Sequence, residues 1–412
     1  MAHEEMDRTD RRTFLQAGAA VTATALSLSA GASAQDAPPK SNVLPKRVLG
    51  KTGVEITMLD QGAVRGSGYD RILRQAFASG VRVFDAAKVY GTEPNLKKWF
   101  AAEPDVRKEI FLVTKDSPKT PGQMPKMLDQ RLASLGTDHI DLFFIHGLGD
   151  MHTLDEAIHF VTCKEFKETV DAIKKSGKAK FVGFSSHHKD RAKFIEAAAK
   201  AGIIDAIMIQ YTPWLDKDSA LNKALDVAYE KKVGVITMKQ IAAHNFGDAP
   251  KGNILDDVVK KVPMLEARKL SPFQGLLHAI WTDERISASC VSMKNVEQLR
   301  ENVDAARRYE PVKAADIMRL RDVMLARGPT LCADCEGRCM EAAGTKAELG
   351  NLTRFLTYHE HHGDRTIARS EYAALSPEAR DWSGADLEAA REACPGKLNF
   401  AKLLPEVDRH LA

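Results

Sequence analysis

Eight short β-rich runs, alternating with helical patterns over about 250 residues, predict an α/β fold: a closed (β/α)8 TIM barrel with a small helical domain after it. A second observation favours closure. An open, doubly wound sheet is the alternative, and it often carries Gly-x-Gly-x-x-Gly after its first strand; none follows the first run here. The third is composition. The 412 residues are 44% hydrophobic and 28% charged, an ordinary core-forming mixture long enough for more than one domain. A net charge of +3 on 59 basic and 56 acidic side chains, with no basic stripe, argues against a nucleic-acid partner. No apolar run is long enough for an ordinary membrane span. The six cysteines are too few for a disulfide-dense scaffold, and four of them cluster near the C-terminal end.

At the N-terminal end, Arg11-Arg12-Thr13-Phe14-Leu15-Gln16 precedes a mildly apolar run from Ala17 to Ala32 and then Ala32-Ser33-Ala34. That is a charged region, an apolar region and a small-residue cleavage site. The apolar run is diluted by Thr, Ser and Gly, and Glu4, Glu5, Asp7 and Asp10 outnumber Arg8, Arg11 and Arg12. The pattern resembles the twin-arginine signal, a receptor-read address that by this resemblance exports folded proteins. The expectation is a signal peptide over 1–34, a leader over 35–45, a barrel over 46–312 and a cysteine-containing domain over 313–412. The mature chain is then periplasmic, with no membrane span. A chance Arg-Arg before an alanine-rich tail is the bland alternative.

Expected strands are Ile56–Gly62, Val81–Ala86, Ile110–Lys115, Ile140–His146, Lys180–Ser185, Ala206–Tyr211, Val233–Met238 and Ser287–Ser292. Between or after them come helical patterns at Ile72–Ser79, Pro125–Leu135, Cys163–Ser176, Lys189–Ala201, Ser219–Lys231 and Val296–Arg308. Barrel enzymes place their chemistry where strands end and βα loops begin. Read there, the second, third and fourth strands run out through Asp85 and Tyr90, Lys115, and His146. A tyrosine hydroxyl is a poor acid at neutral pH, and a nearby ammonium favours its phenolate. A carboxylate keeps that ammonium charged, and a histidine can hydrogen-bond a carbonyl oxygen. Taken singly, each residue is as readily a cap or a satisfied polar group.

The segments Phe84-Asp85-Ala86-Ala87-Lys88-Val89-Tyr90-Gly91, Val113-Thr114-Lys115 and Phe144-Ile145-His146-Gly147 resemble the tetrad segments of the aldo-keto reductase family. Lys46 to Val54 resembles that family's N-terminal hairpin, and the likeness runs over roughly 46–308. The resemblance implies a catalytic tetrad: Tyr90 as general acid, Lys115 tuning it, Asp85 holding Lys115 and His146 orienting the carbonyl. It also implies a nicotinamide, since hydride transfer is cofactor chemistry. Ser185 and Ser186 match the strand-five segment near the nicotinamide, and Glu301 and Asn302 the adenine-side pair. The strand-six Gln matches either Met208 or, two residues on, Gln210; the strand-seven aromatic is replaced by Met238-Lys239, where Met238 covers the ring or is core. Ser292 stands where some relatives have Lys, and Gln298 where they have Arg. Lys294 is the cation left in that stretch, as a phosphate contact or as a solvated lysine. The cofactor is therefore NADP or NAD, with NADP favoured.

After the barrel, Cys332-x2-Cys335-x3-Cys339 is followed far downstream by Cys394-Pro395. Two-cluster ferredoxins repeat C-x2-C-x2-C-x3-C-P, and the fourth Cys of each run ligates the other cluster. The tail resembles such a ferredoxin-like module with one ligand set left: Gly384, Leu387, Ala390 and Ala343 stand where the other cysteines would be. The resemblance implies one 4Fe–4S cluster on Cys332, Cys335, Cys339 and Cys394, and a possible redox partner. Structural zinc, two disulfides or a metal-free relic are the alternatives. Cys163 and Cys290 read as small core residues. Tyr358 to His362 reads as a polar helix end rather than a metal site, and His187-His188 as pocket border or solvated loop.

These readings combine into an exported oxidoreductase that interconverts a small-molecule carbonyl and an alcohol. The competing class is a non-catalytic binding or assembly protein on the same barrel with a metal-stabilised tail, suggested by the altered strand-seven and strand-eight positions.

Overall fold

The computed structural model describes residues 43–64, 68–240, 254–327, 332, 335–361 and 365–412. The expected signal peptide, most of the leader and His362 lie outside them. Two short strands, β1 (Lys46–Val48) and β2 (Glu55–Thr57), pair antiparallel as a hairpin. The next eight are all parallel and close into a barrel: β3 (Leu59–Gln61), β4 (Val83–Asp85), β5 (Phe111–Asp116), β6 (Ile140–Ile145), β7 (Ala179–Ser186), β8 (Ala206–Gln210), β9 (Gly234–Met238) and β10 (Ala288–Val291). β10 closes onto β3, with Cys290 opposite Asp60.

Alternation along each strand explains the two cores. Inward residues Val83, Phe111, Val113, Leu142, Phe144, Met208, Ile236 and Ala288 fill the barrel, and Leu49 and Ile56 join them from the hairpin end. Outward residues such as Phe84, Leu112, Phe143, Val182, Phe184 and Ile207 pack beneath the helices. Period-two counting places Asp85 two residues after Val83, Lys115 after Val113 and His146 after Phe144, all on the inner side at the carboxyl ends. Gly183 has no room for a side chain: a Cβ there would lie 1.8 Å from the Ala206 carbonyl oxygen.

The helix Ala314–Arg327 inserts Leu320 and Met324 into the barrel's outer core, so it packs as part of the barrel. The expected boundary at 312 placed it in the tail; its buried face, invisible in its cysteine-free sequence, decides otherwise. Beyond it, helices that include Leu349–His361, Leu387–Ala393 and Phe400–Leu411 make a second core from Leu349, Leu352, Leu356, Ala390, Phe400, Leu404 and Val407. Cys339 and Cys394 belong to that core. Among the described residues, no helix is long and apolar enough to cross a membrane.

Candidate active site and cysteine site

Lys115 and Asp85, 1% and 2% exposed, form a close ion pair inside the barrel. Lys115 Nζ also donates to the Ala86 carbonyl at 3.2 Å and stands 5.5 Å from the centre of the Tyr90 ring. Tyr90 ends a 3-10 turn, Lys88–Tyr90, that is closed by Gly91 at φ +67. That turn brings the tyrosine back over the strand ends, with its hydroxyl 3.4 Å from His146 Nε2. Burial works against the Lys115 charge, but Asp85, Tyr90 and Cys290 outweigh it and hold the ammonium above the ordinary lysine range. His146 is pushed down to about 3 by burial and by the cations Lys115 and Lys239. It is therefore neutral near pH 7 and acts as a hydrogen-bonding group rather than a proton reservoir. The four sequence-predicted tetrad residues thus meet at one mouth.

A second buried network fixes the strand that carries Lys115. Glu93 accepts from the Thr114 hydroxyl and from Arg131, both at 2.7 Å. Arg131 also pairs with Asp116 at 3.2 Å.

The predicted cofactor residues divide into groups. Ser185 Oγ accepts the Gly147 N–H at 3.1 Å, and Ser186 Oγ donates to the Leu148 carbonyl at 2.8 Å. Both hydroxyls tie the end of β7 to the loop after β6. Met208 lies in the barrel core, whereas Gln210, two residues on, reaches the mouth fully buried. Its Oε1 accepts from Arg354 at 2.8 Å, while its Nε2 has no partner. Met238 packs against the inner core at the end of β9. Ser292 and Lys294 are exposed after β10. Gln298 accepts the Lys294 N–H through its side chain and donates its own N–H to Asn295 Oδ1, each at 2.8 Å, so it helps cap the helix Val296–Arg307. Glu301 is held by the Ser271 hydroxyl, and Asn302 is buried beside it.

Cys335 and Cys339 are both pushed up to about 12, first by burial and then by neighbouring thiols among Cys332, Cys339 and Cys394. Cys335, Cys339 and Cys394 carry free thiols, and the influence of Cys332 and Cys394 on the other two puts the four at one locus. The Arg338 N–H points at the Cys335 sulfur and the Met340 N–H at the Cys339 sulfur. A Cβ on Gly350 would lie 3.2 Å from the Cys332 sulfur, so that glycine lets the backbone approach it. The locus sits against the barrel mouth. His187 lines the same cavity as Cys332, Cys335 and Cys339 and lies 3.7 Å from Asp150. Glu336, between the cysteines, accepts the N–H groups of Ala220 and Leu221 at 3.1 and 2.6 Å, capping a barrel helix.

Sequence reasoning gave no role to Lys239 or Arg354 at the mouth, nor to Asp60 deeper in the barrel. A charged residue in the middle of an apolar strand was the available signal for Asp60. Nothing local marks Arg354, whose partner Gln210 is 144 residues away. Cys290 is not simply core, since it stands beside Asp60 and Asp85. Cys163 caps the helix Lys164–Lys175, its sulfur accepting the Phe166 N–H at 3.4 Å. His188 stacks on Phe194, and His359 on His410.

The model of the Aldo/keto reductase family matches residues 58–323, ending before the four cysteines. An uncharacterized oxidoreductase of Bacillus subtilis is 26% identical over 302 residues, 62% of this chain and 89% of that protein. The L-glyceraldehyde 3-phosphate reductase of Escherichia coli K12 is 25% identical over 324 residues, 65% of this chain and 89% of that one. Among solved structures, aldo-keto reductase AKR11C1 from Bacillus halodurans superposes with a TM-score of 0.53 at 19% identity, covering 68% of this chain and 96% of its own.

Proposed function

We propose, from the premise that this chain belongs to the aldo/keto reductase family and is an NAD(P)-dependent oxidoreductase acting on carbonyls, that it interconverts a small-molecule carbonyl and its alcohol with Tyr90 as proton donor. The observation that carries this is the buried Lys115–Asp85 pair beneath the Tyr90 hydroxyl, with neutral His146 beside it. A bound nicotinamide supplies the hydride. The chain's own residues fit such a group: Gln210 Nε2 is a buried donor with no partner, suited to a carboxamide oxygen, and Met238 offers an apolar face near it. Lys294, exposed just before the helix Val296–Arg307, is a cation that a 2′-phosphate could approach, which favours NADP.

In the reducing direction, His146 donates a hydrogen bond to the carbonyl oxygen and orients it. Tyr90 gives its hydroxyl proton to that oxygen as the carbon receives the hydride. The phenolate left behind is stabilised by the Lys115 ammonium, which Asp85 keeps charged and aimed.

We further propose that Cys332, Cys335, Cys339 and Cys394 hold one 4Fe–4S cluster, with zinc as the competing occupant. Support comes from the electrostatic influence of these thiols on one another, the cavities they line and the N–H groups aimed at two of them. Arg11-Arg12 and the segment after it favour export of the loaded, folded chain to the periplasm. Titration of anaerobically purified protein with NADPH and NADH, followed by nicotinamide fluorescence, tests the nicotinamide reading; no saturable binding would refute it. Tyr90→Phe is expected to abolish carbonyl reduction while still binding the nucleotide. Iron and acid-labile sulfide, against zinc, are counted on the same sample.

A further inference from the structure

The barrel interior holds one more carboxyl group than the tetrad uses. Asp60 lies at the centre of β3, between Val83 on one neighbouring strand and Cys290 on the other. It is fully buried, and among the described residues no N–H or O–H donates to its carboxyl oxygens, the weak Cys290 S–H alone standing beside them. Asp60, Asp85 and Cys290 bring their oxygen and sulfur atoms within 4.8 Å of one another. Lys115 faces this group from β5, and Tyr69 faces it from the helix Tyr69–Ala78, with a buried hydroxyl that also lacks a partner.

The charge count decides the protonation. Among the described residues, Lys115 is the cation that faces Asp60, and its ammonium pairs with Asp85. Two adjacent buried carboxyls with one ammonium between them do not both ionise. Asp85 has the Lys115 N–H to stabilise its charge, whereas Asp60 has none, so the proton stays on Asp60. Burial first, and then the Asp85 charge, push Asp60 well above the usual carboxylate range. Cys290 is pushed up by burial and by the same two carboxyls, so it stays a thiol.

We propose that Asp60 is a positioning residue for the reduction: protonated at neutral pH, it keeps the buried cluster at one carboxylate against one ammonium, and so leaves the Lys115 charge available to Tyr90. When Asp60 ionises at higher pH, a second negative charge cancels the field of Lys115 at the phenolate, and reduction slows. The alkaline limb of kcat therefore contains the Asp60 ionisation. An amide reproduces the neutral acid and cannot ionise.

The kinetic arm of this inference rests on the reductase reading; the spectroscopic arm does not. Infrared spectra of the full chain at about pH 8, where Asp150, raised to about 6, is ionised, are expected to show a carboxylic acid band that disappears in Asp60→Asn. The kcat profile of Asp60→Asn is expected to extend to higher pH by about one unit or more, a change that a merely space-filling Asp60 would not produce. A wild-type spectrum without the band, a band that survives in Asp60→Asn, an unchanged alkaline limb, or a divalent metal bound at these residues would each overturn the proposal. If Asp60→Asn does not fold, the wild-type band is followed with pH, and its loss must track the alkaline fall in activity. A Tyr90→Phe enzyme that still reduces carbonyls would sink the reductase reading while leaving the infrared result intact.

Discussion

Arg131→Met isolates the network that braces the Lys115 strand. The Arg131 guanidinium, 10% exposed, is shared by Glu93 and Asp116, which are 2% and 3% exposed. Methionine replaces the stem and removes the charge, leaving Glu93 buried without the Arg131 cation and Asp116 with Lys88 at 3.5 Å. Breaking a buried ion pair by removing one partner costs about 3–5 kcal/mol. The compact unit spans Asn42–Ala412, so at about 2.1 cal/mol/K per residue its unfolding entropy is about 0.8 kcal/mol/K. The expected fall in Tm is therefore about 4–6 °C. The pH dependence carries a sign. Burial already raises the Glu93 pKa in the folded chain despite the bonds from Thr114 and Ser134 and the charge of Arg131. Without Arg131 it rises further, so the folded variant takes up a proton more readily than the unfolded chain. Its deficit should shrink as the pH falls from about 8 to about 5. Glu93→Gln added to Arg131→Met should recover part of the loss, because an amide oxygen still accepts from Thr114. Scanning calorimetry at several pH values measures all of this. A loss below about 1 kcal/mol, the range of an exposed pair, or a loss that grows in acid, would refute the reasoning.

Other perturbations test different parts of the molecule. Gly183→Ala forces a Cβ to 1.8 Å from a backbone oxygen that cannot swing aside, and should cost more than about 3 kcal/mol, read as a lower urea midpoint. His146, held at about 3 against an ordinary value of 6.5, refuses a proton that the unfolded chain accepts. Wild-type stability should therefore fall as pH drops through that window, and His146→Asn should flatten the slope of unfolding free energy against pH. Arg354→Met removes the donor to Gln210. If this contact fastens the helix Leu349–His361 to the barrel, amides of that helix should then exchange faster while those of β5 and β6 hold, and identical exchange in both proteins would contradict that role.

Much of the barrel was legible because its information is local and periodic. β-rich runs alternate with helical ones, and inside a strand the inward residues recur every second position. Counting from Val83, Val113 and Phe144 therefore reaches Asp85, Lys115 and His146 with no knowledge of how the strands pair. The spacing of Cys332, Cys335 and Cys339 is local in the same way. The cofactor segment was less legible. Ser185, Ser186 and Gln298 are polar residues in suitable places, yet they carry hydrogen bonds within the fold, and the choice between Met208 and Gln210 needed the barrel's depth.

What the chain determined unaided is the later barrel strands and the candidate proton-transfer groups at their ends, because these follow from short-range geometry; the first expected strand, Ile56–Gly62, is divided between the hairpin strand β2 and the barrel strand β3. Only the tertiary structure decided which groups share a cation. Asp60 and Asp85 stand on consecutive strands, but Cys290 comes from the last one, and it is closure of β10 onto β3 that confines all three beside the Lys115 ammonium. Only closure and docking brought Arg354 to Gln210 and the cysteine locus to the barrel mouth. Electrostatic energy depends on distance and burial, and neither exists for these residues until the chain has closed.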